Sequence, residues 1–180
     1  MKRLLSLLPL LAFATLLPTA AIAAPRGTTA VFANARYHQT NETIKDWPFD
    51  KGDFSYGLSA AFYDAAGYLE LGVNYAPESS LDDIDDVWTP FARIVIEDRF
   101  VAAGIGLRGN YISYADGVET EDGSDSDWSS LLYEFYLGVE IPLGSVALGG
   151  GAYYTFDKWD ELRDFDVDFL EYGVHLGYRF

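Results

Sequence analysis

Residues 170–180 read Leu170-Glu171-Tyr172-Gly173-Val174-His175-Leu176-Gly177-Tyr178-Arg179-Phe180, and this stretch decides the fold. Leu170, Tyr172, Val174, Leu176, Tyr178 and Phe180 are apolar or aromatic, and the residues between them are small or polar. The period is two. In a pleated strand successive side chains point to opposite sides, so this segment has one hydrocarbon face and one face carrying glycine, glutamate, histidine and arginine.

Working outward, the same period recurs in eight segments: 28–39, 53–63, 67–76, 88–97, 100–113, 128–141, 145–156, and the stretch from the 157–166 loop to the carboxyl end. The connections alternate long and short, starting with a long one at 40–52 and followed by a tight turn at Asp64-Ala65-Ala66. An even number of strands with that alternation predicts both chain ends on the side of the short turns. Pro90 cannot donate to a ladder and is expected at a rim. The predicted fold is all-β: an eight-stranded antiparallel up-and-down transmembrane β-barrel with a polar, side-chain-filled lumen. Backbone groups in lipid have no water to pair with, so only a closed sheet spans with strands. Segments of this length are sufficient when tilted.

The polar faces carry the stronger signal. Glu70, Glu97, Glu134, Glu140 and Glu171 fall there with Arg36, Arg93, Arg108 and Arg179, interleaved with small residues. An eight-stranded barrel has an interior just wide enough for side chains to fill. Charges inside it must pair, and the glycines on the same faces leave room for long arms. These nine residues are therefore expected to form a lumen charge network packed with Tyr136 and Tyr153. His38 and His175 also face inward and are expected to be neutral or paired. The competing arrangement is a soluble barrel with the polar face outside; the leader and the ending Phe180 argue against it.

At the amino end, Met1-Lys2-Arg3, the apolar run 4–17 and Ala21-Ile22-Ala23 form a secretory signal peptide, expected over 1–23, with the barrel domain over 24–180. The apolar run is short for a membrane anchor. The chain has no cysteine, which excludes disulfides and thiolate metal sites. A net charge of −16 makes nucleic acid an implausible partner. Aromatics collect near the strand ends, with Tyr75, Trp88, Tyr111, Trp128, Tyr154 and Phe156 toward the long loops and Phe62, Tyr178 and Phe180 toward the short turns. That placement suits two interfacial girdles. Acid is densest in the long loops, where Asp82, Asp83, Asp85, Asp86, Asp122, Asp125 and Asp127 are candidates for divalent-cation binding and for bridging to lipopolysaccharide phosphates. Neither run has EF-hand spacing, and a solvated face that resists aggregation is the competing reading.

By layout the chain resembles the small eight-stranded Gram-negative outer-membrane proteins of the OmpA-transmembrane and OmpX type. The segments GAYYTFDKWDE and EYGVHLGYRF are similar to YfaZ-type proteins, short barrels sometimes described as porins. The resemblance implies a cell outer-membrane location with both termini periplasmic, and contact with outer-membrane lipid. It also implies recognition of the last strand, ending Phe180, by the barrel-assembly machinery. A monomer without cofactor is expected. Barrel enzymes that act on lipid A use a histidine with a serine, and His38-Gln39-Thr40 lacks the serine of that pattern, so no catalytic role is expected. A structural or surface-interaction role is the leading expectation, and a narrow porin-like channel the alternative.

Overall fold

The computed structural model describes residues 27–64, 66–77, 79–115, 118 and 124–180. The leader expected over 1–23 and the candidate ligand Asp122 lie outside the described residues. Ten strand segments form one sheet: β1 (Thr29–Tyr37), β2 (Phe54–Asp64), β3 (Gly67–Ala76), β4 (Ile84–Asp98), β5 (Val101–Arg108), β6 (Tyr111–Tyr114), β7 (Ser126–Trp128), β8 (Leu132–Leu143), β9 (Val146–Phe156) and β10 (Glu171–Arg179).

Every pairing is antiparallel, β4 pairs with both β5 and β6, β5 pairs with β8, and β1 pairs with β10 to close the cylinder. Two expected strands are interrupted. β5 and β6 are successive parts of the fifth strand, broken at Gly109-Asn110, and β7 and β8 are parts of the sixth. From Tyr111↔Trp128 to Arg108↔Leu132 one side advances by one more residue than the other, which is a β-bulge. The serine at the break mends the ladder: the Asn110 N–H donates to Ser129 Oγ at 2.9 Å and the Ser129 N–H to the Asn110 carbonyl at 2.8 Å. Eight strands therefore close the barrel. The fourth begins at Ile84, earlier than the expected 88, and takes Asp85 and Asp86 out of the loop.

The short turns, between β2 and β3, β4 and β5, and β8 and β9, share one end of the cylinder with Gly27 and Phe180, the first and last described residues. There the Gly27 N–H donates to the Tyr63 carbonyl and the Phe180 N–H to the Thr29 carbonyl. Gly144, at φ +70, takes the left-handed position in the β8–β9 turn.

The two faces separate cleanly. Leu58, Leu71, Ile94, Ile96, Ile105, Leu137, Leu148, Val174 and Leu176 all point outward and are exposed, while the alternate residues are buried or half-buried. A water-soluble domain does not leave so continuous an apolar belt uncovered. The interior has an apolar layer toward the short turns, built from Phe32, Tyr63, Tyr68, Val95, Tyr136 and Tyr153 with alanines 30, 61, 102 and 147. A second layer toward the long loops contains Phe49, Ala76, Val87 and Ile112.

Candidate functional site: the lumen and its cap

Register positions the charged side chains. Glu70 lies directly across from Arg93, Arg93 from Gly106, and Gly106 from Glu134, so one row crosses four strands. A Cβ at Gly106 would come within 2.8 Å of the Arg93 Cβ. Glycine there lets the Arg93 arm reach over, and the guanidinium bonds Glu70 at 2.7 Å through Nε and Glu134 at 3.4 Å through Nη1. Arg36 meets Glu134 at 2.6 Å and lies 3.8 Å over the Tyr153 ring. Arg108 meets Glu171 at 2.8 Å. Glu171 also accepts from Thr155 Oγ1 at 3.0 Å and from Arg36 at 3.5 Å, and binds His38 Nδ1. Three arginines and three glutamates thus neutralise one another in one buried cluster. Buried charge persists where partners and hydrogen bonds offset the loss of water, as they do here.

A second cluster sits toward the short turns. Glu140 binds Arg179 and lies 3.3 Å from His175 Nε2. The histidine reaches it across Gly149, where a Cβ would stand 2.2 Å from the ring nitrogen. Glu97 is half-buried nearby, with no partner for its Oε1. The nine expected lumen residues therefore divide: Arg36, Glu70, Arg93, Arg108, Glu134 and Glu171 in the first cluster, Glu140 and Arg179 in the second, and Glu97 beside the second with no ion pair of its own.

The mouth on the long-loop side is closed by the first loop, residues 38–53, a feature the alternation did not disclose. Phe49 lies flat on His38, with ring centroids 3.7 Å apart and planes 7° apart. Arg108 stands beneath Trp47 at 5.1 Å and Phe49 at 5.7 Å. Trp47 Nε1 donates to the Gln39 carbonyl at 2.9 Å within the loop, and Asn41 Nδ2 donates to the Thr155 carbonyl at 3.2 Å, tying the loop to β9. Asp53 fastens it to the second long loop by accepting from the Ser80 N–H at 3.0 Å and from Ser79 Oγ at 3.3 Å. At the rim, the Thr40 hydroxyl and the Lys51 N–H hold the Asp50 carboxyl below the ordinary aspartate range. The one sequence signal for this cap was an apolar run, Trp47-Pro48-Phe49, inside an otherwise polar loop.

His38 joins Ser55 Oγ, 2.8 Å from Nε2, to Glu171 at Nδ1. The order serine, histidine, carboxylate matches that of a hydrolase triad. Approach is missing, however: Ser55 and His38 are each 1% exposed and the imidazole is roofed by Phe49. The arrangement clamps the cap to the charge network.

The loop candidates for cation binding do not converge. Asp82 and Asp83 are exposed in a turn, and Asp85 and Asp86 lie at a register shift that opens β4, the first exposed and the second half-buried. Asp86 accepts from Ser113 Oγ at 2.7 Å and Asp127 from the Trp128 N–H at 2.7 Å. Asp125 is exposed. Among the described residues no group of three acidic, histidine or cysteine side chains is placed to hold a metal ion.

One expectation is corrected. Tyr154 and Phe156 do point outward from β9, but neither is exposed as a girdle residue, because residues 157–169 fold back along the outer wall and cover them. Trp159 lies 5.3 Å from Phe156 and 5.1 Å from Tyr133, and Phe165 lies 4.6 Å from Tyr154. Tyr75 with Trp88, and Tyr111 with Trp128, pair across strands at centroid distances of 4.5 and 5.2 Å, on the rows expected for the long-loop side.

No protein-family model matches this chain, and no curated protein matches it in sequence. Solved structures share its architecture, among them two outer-membrane barrels. The N-terminal β-barrel domain of Pseudomonas aeruginosa OprF superposes with a TM-score of 0.53 at 9% identity, over 86% of this chain and 98% of that one. A major outer membrane protein from Thermus thermophilus superposes at 0.54 with 16% identity, over 85% of this chain and 98% of that one. At such identities the likeness is one of fold: the chain has the closed eight-stranded barrel of small outer-membrane proteins.

Proposed function

We propose that this chain is an outer-membrane barrel with a structural or surface-interaction role, its short turns and termini in the periplasm and its long loops outside. The observation that carries this reading is the combination of an uncovered apolar outer belt with a lumen closed by paired charges and capped by Phe49. In lipid the belt is solvated by acyl chains and the backbone is satisfied by closure. Outer-membrane lipid and lipopolysaccharide are then the natural partners, and the closing strand ending Phe180 is the segment offered to the assembly machinery.

A narrow channel is the second reading, favoured by the polarity of the lumen alone. A path would have to pass between Arg93, Arg36 and Glu134, which meet at 3.4 Å or closer, and then the His38–Phe49 stack. Planar-bilayer recording of the purified protein is expected to give no reproducible unitary conductance. A reproducible step that shifts when Glu134 or Arg93 is neutralised would establish the channel instead. Location is tested separately: the processed protein should fractionate with outer membranes and require detergent for extraction.

A further inference from the structure

Where the chain leaves β9 it makes a turn outside the lumen. Asp157 and Glu161 bracket this turn, and the Glu161 N–H closes it on the Lys158 carbonyl at 3.2 Å. A short 3₁₀ helix, Trp159–Asp164, follows and lays Trp159 on the outward rings of Tyr133, Phe135 and Phe156, at centroid distances of 5.1, 6.2 and 5.3 Å. Phe165 then covers Tyr154. The strap is thus held by aromatic packing at its body and by the turn at its root.

At that root the Glu161 carboxyl turns back onto Asp157, close enough for one to bond the other when a proton lies between them. Asp157 Oδ1 and Glu161 Oε2 are both shut from solvent, and neither meets a donor. Two facing carboxylates cannot both ionise without repulsion, so such a pair shares a proton. The charge facing them is Lys158, 3.3 Å from Asp157 and itself exposed. On the wall beneath the strap stand the rings of Tyr133, Phe135, Tyr154 and Phe156, and Asp160 and Arg163 are exposed.

We infer that residues 157–165 are a pH-responsive strap, docked on the outer wall while the Asp157–Glu161 pair holds one proton and released when that proton leaves. Burial raises both groups. At Asp157 the bond from Glu161 and the Lys158 ammonium outweigh burial and hold the carboxyl below the ordinary range, whereas burial and the Asp157 carboxylate push Glu161 above its own. A glutamate raised in the docked state contributes docking below that raised value, and the contribution is lost as pH rises through it. Release uncovers Tyr133, Phe135, Tyr154 and Phe156 at the rim of the apolar belt, offering an aromatic patch to the lipid interface.

The chain has no cysteine, so spin labels can be placed singly at exposed positions. Labels at D160C and K51C in the protein in lipid nanodiscs would report the strap-to-loop distance by pulsed electron resonance between about pH 5 and about pH 9, a range that spans ordinary and raised glutamate values. One narrow distance is expected at the acid end, broadening with alkali. The docked-to-free ratio should fall by no more than about tenfold per pH unit, the slope a single proton allows. Glu161→Gln, whose amide donates to Asp157 permanently, should keep the narrow distance throughout, with unheated electrophoretic mobility confirming that the barrel is intact. A distance that ignores pH in the unsubstituted protein overturns the inference. So does a Glu161→Gln variant that titrates like its parent, or one that is undocked at every pH.

Discussion

Replacing Glu171 by leucine is expected to cost about 3 to 5 kcal/mol of barrel stability, the penalty for leaving a buried charge without its partner. Glu171 is 0% exposed and serves four groups at once: Arg108 at 2.8 Å, Thr155 at 3.0 Å, Arg36 at 3.5 Å, and His38. Arg36 would keep Glu134 at 2.6 Å. Arg108 would keep only that same carboxylate as a charged partner, at 3.8 Å, with the neutral acceptors Asn110 Oδ1 at 3.4 Å and Thr155 Oγ1 at 3.5 Å, and its Nε already lacks a partner. The loss therefore falls mainly on Arg108 and on the His38–Phe49 cap above it. Substituting Arg108 by leucine as well should recover part of the penalty, because an apolar pair of similar volume replaces an ion pair at little net cost. The two substitutions are thus expected to be non-additive in the favourable direction. Equilibrium unfolding of both variants in denaturant, from bilayers and with heat-modifiable mobility as the readout, measures this. A single variant as stable as the parent would show that Glu171 is not the keystone of the cluster.

That cluster was legible in the sequence only as a set. Alternation assigns Glu70, Arg93, Glu134 and Glu171 to one face because parity survives whatever the register is. Which arginine meets which glutamate depends on the stagger of eight strands, and no single segment carries that information. The row Glu70, Arg93, Gly106, Glu134 becomes visible only once β3, β4, β5 and β8 are aligned. Glu97 shares the parity of the others, yet it sits beside Glu140 where the stagger brings no further arginine, and one of its oxygens is left unbonded. Loops obey no period at all. Trp47 and Phe49 fold inward to roof the lumen, whereas Trp159 and Phe165 fold outward onto the wall, and in the sequence both are aromatics in acidic surroundings. The bulge at residues 129–131, opposite Gly109-Asn110, escaped for a related reason: one extra residue on one side interrupts the ladder without disturbing the alternation within the segments that flank it.

The outer wall yields the other large expected effect. Ile105 lies in β5 between Ile94 and Phe135, points outward and is 42% exposed; Leu137, two residues along β8 from Phe135, is 62% exposed. In water such positions would accept arginine freely, since a half-exposed isoleucine on a soluble surface contributes little. In a bilayer the same substitution places a guanidinium in hydrocarbon, and Ile105→Arg or Leu137→Arg should cost about 2 to 4 kcal/mol at mid-membrane depth. Exposed loop charges provide the control: Asp82→Asn and Asp83→Asn alter charge where water is retained and should change stability by less than about 0.5 kcal/mol. Position along the strand sharpens the contrast, because Val101 and Val139, nearer the short turns, have an interface within reach of a long side chain and should tolerate arginine better than Ile105 does. Unfolding of the set in bilayers therefore yields a profile peaked at the middle of the barrel wall. A flat profile, with arginine at 105 no worse than asparagine at 82, would mean that the apolar belt is covered by something other than lipid.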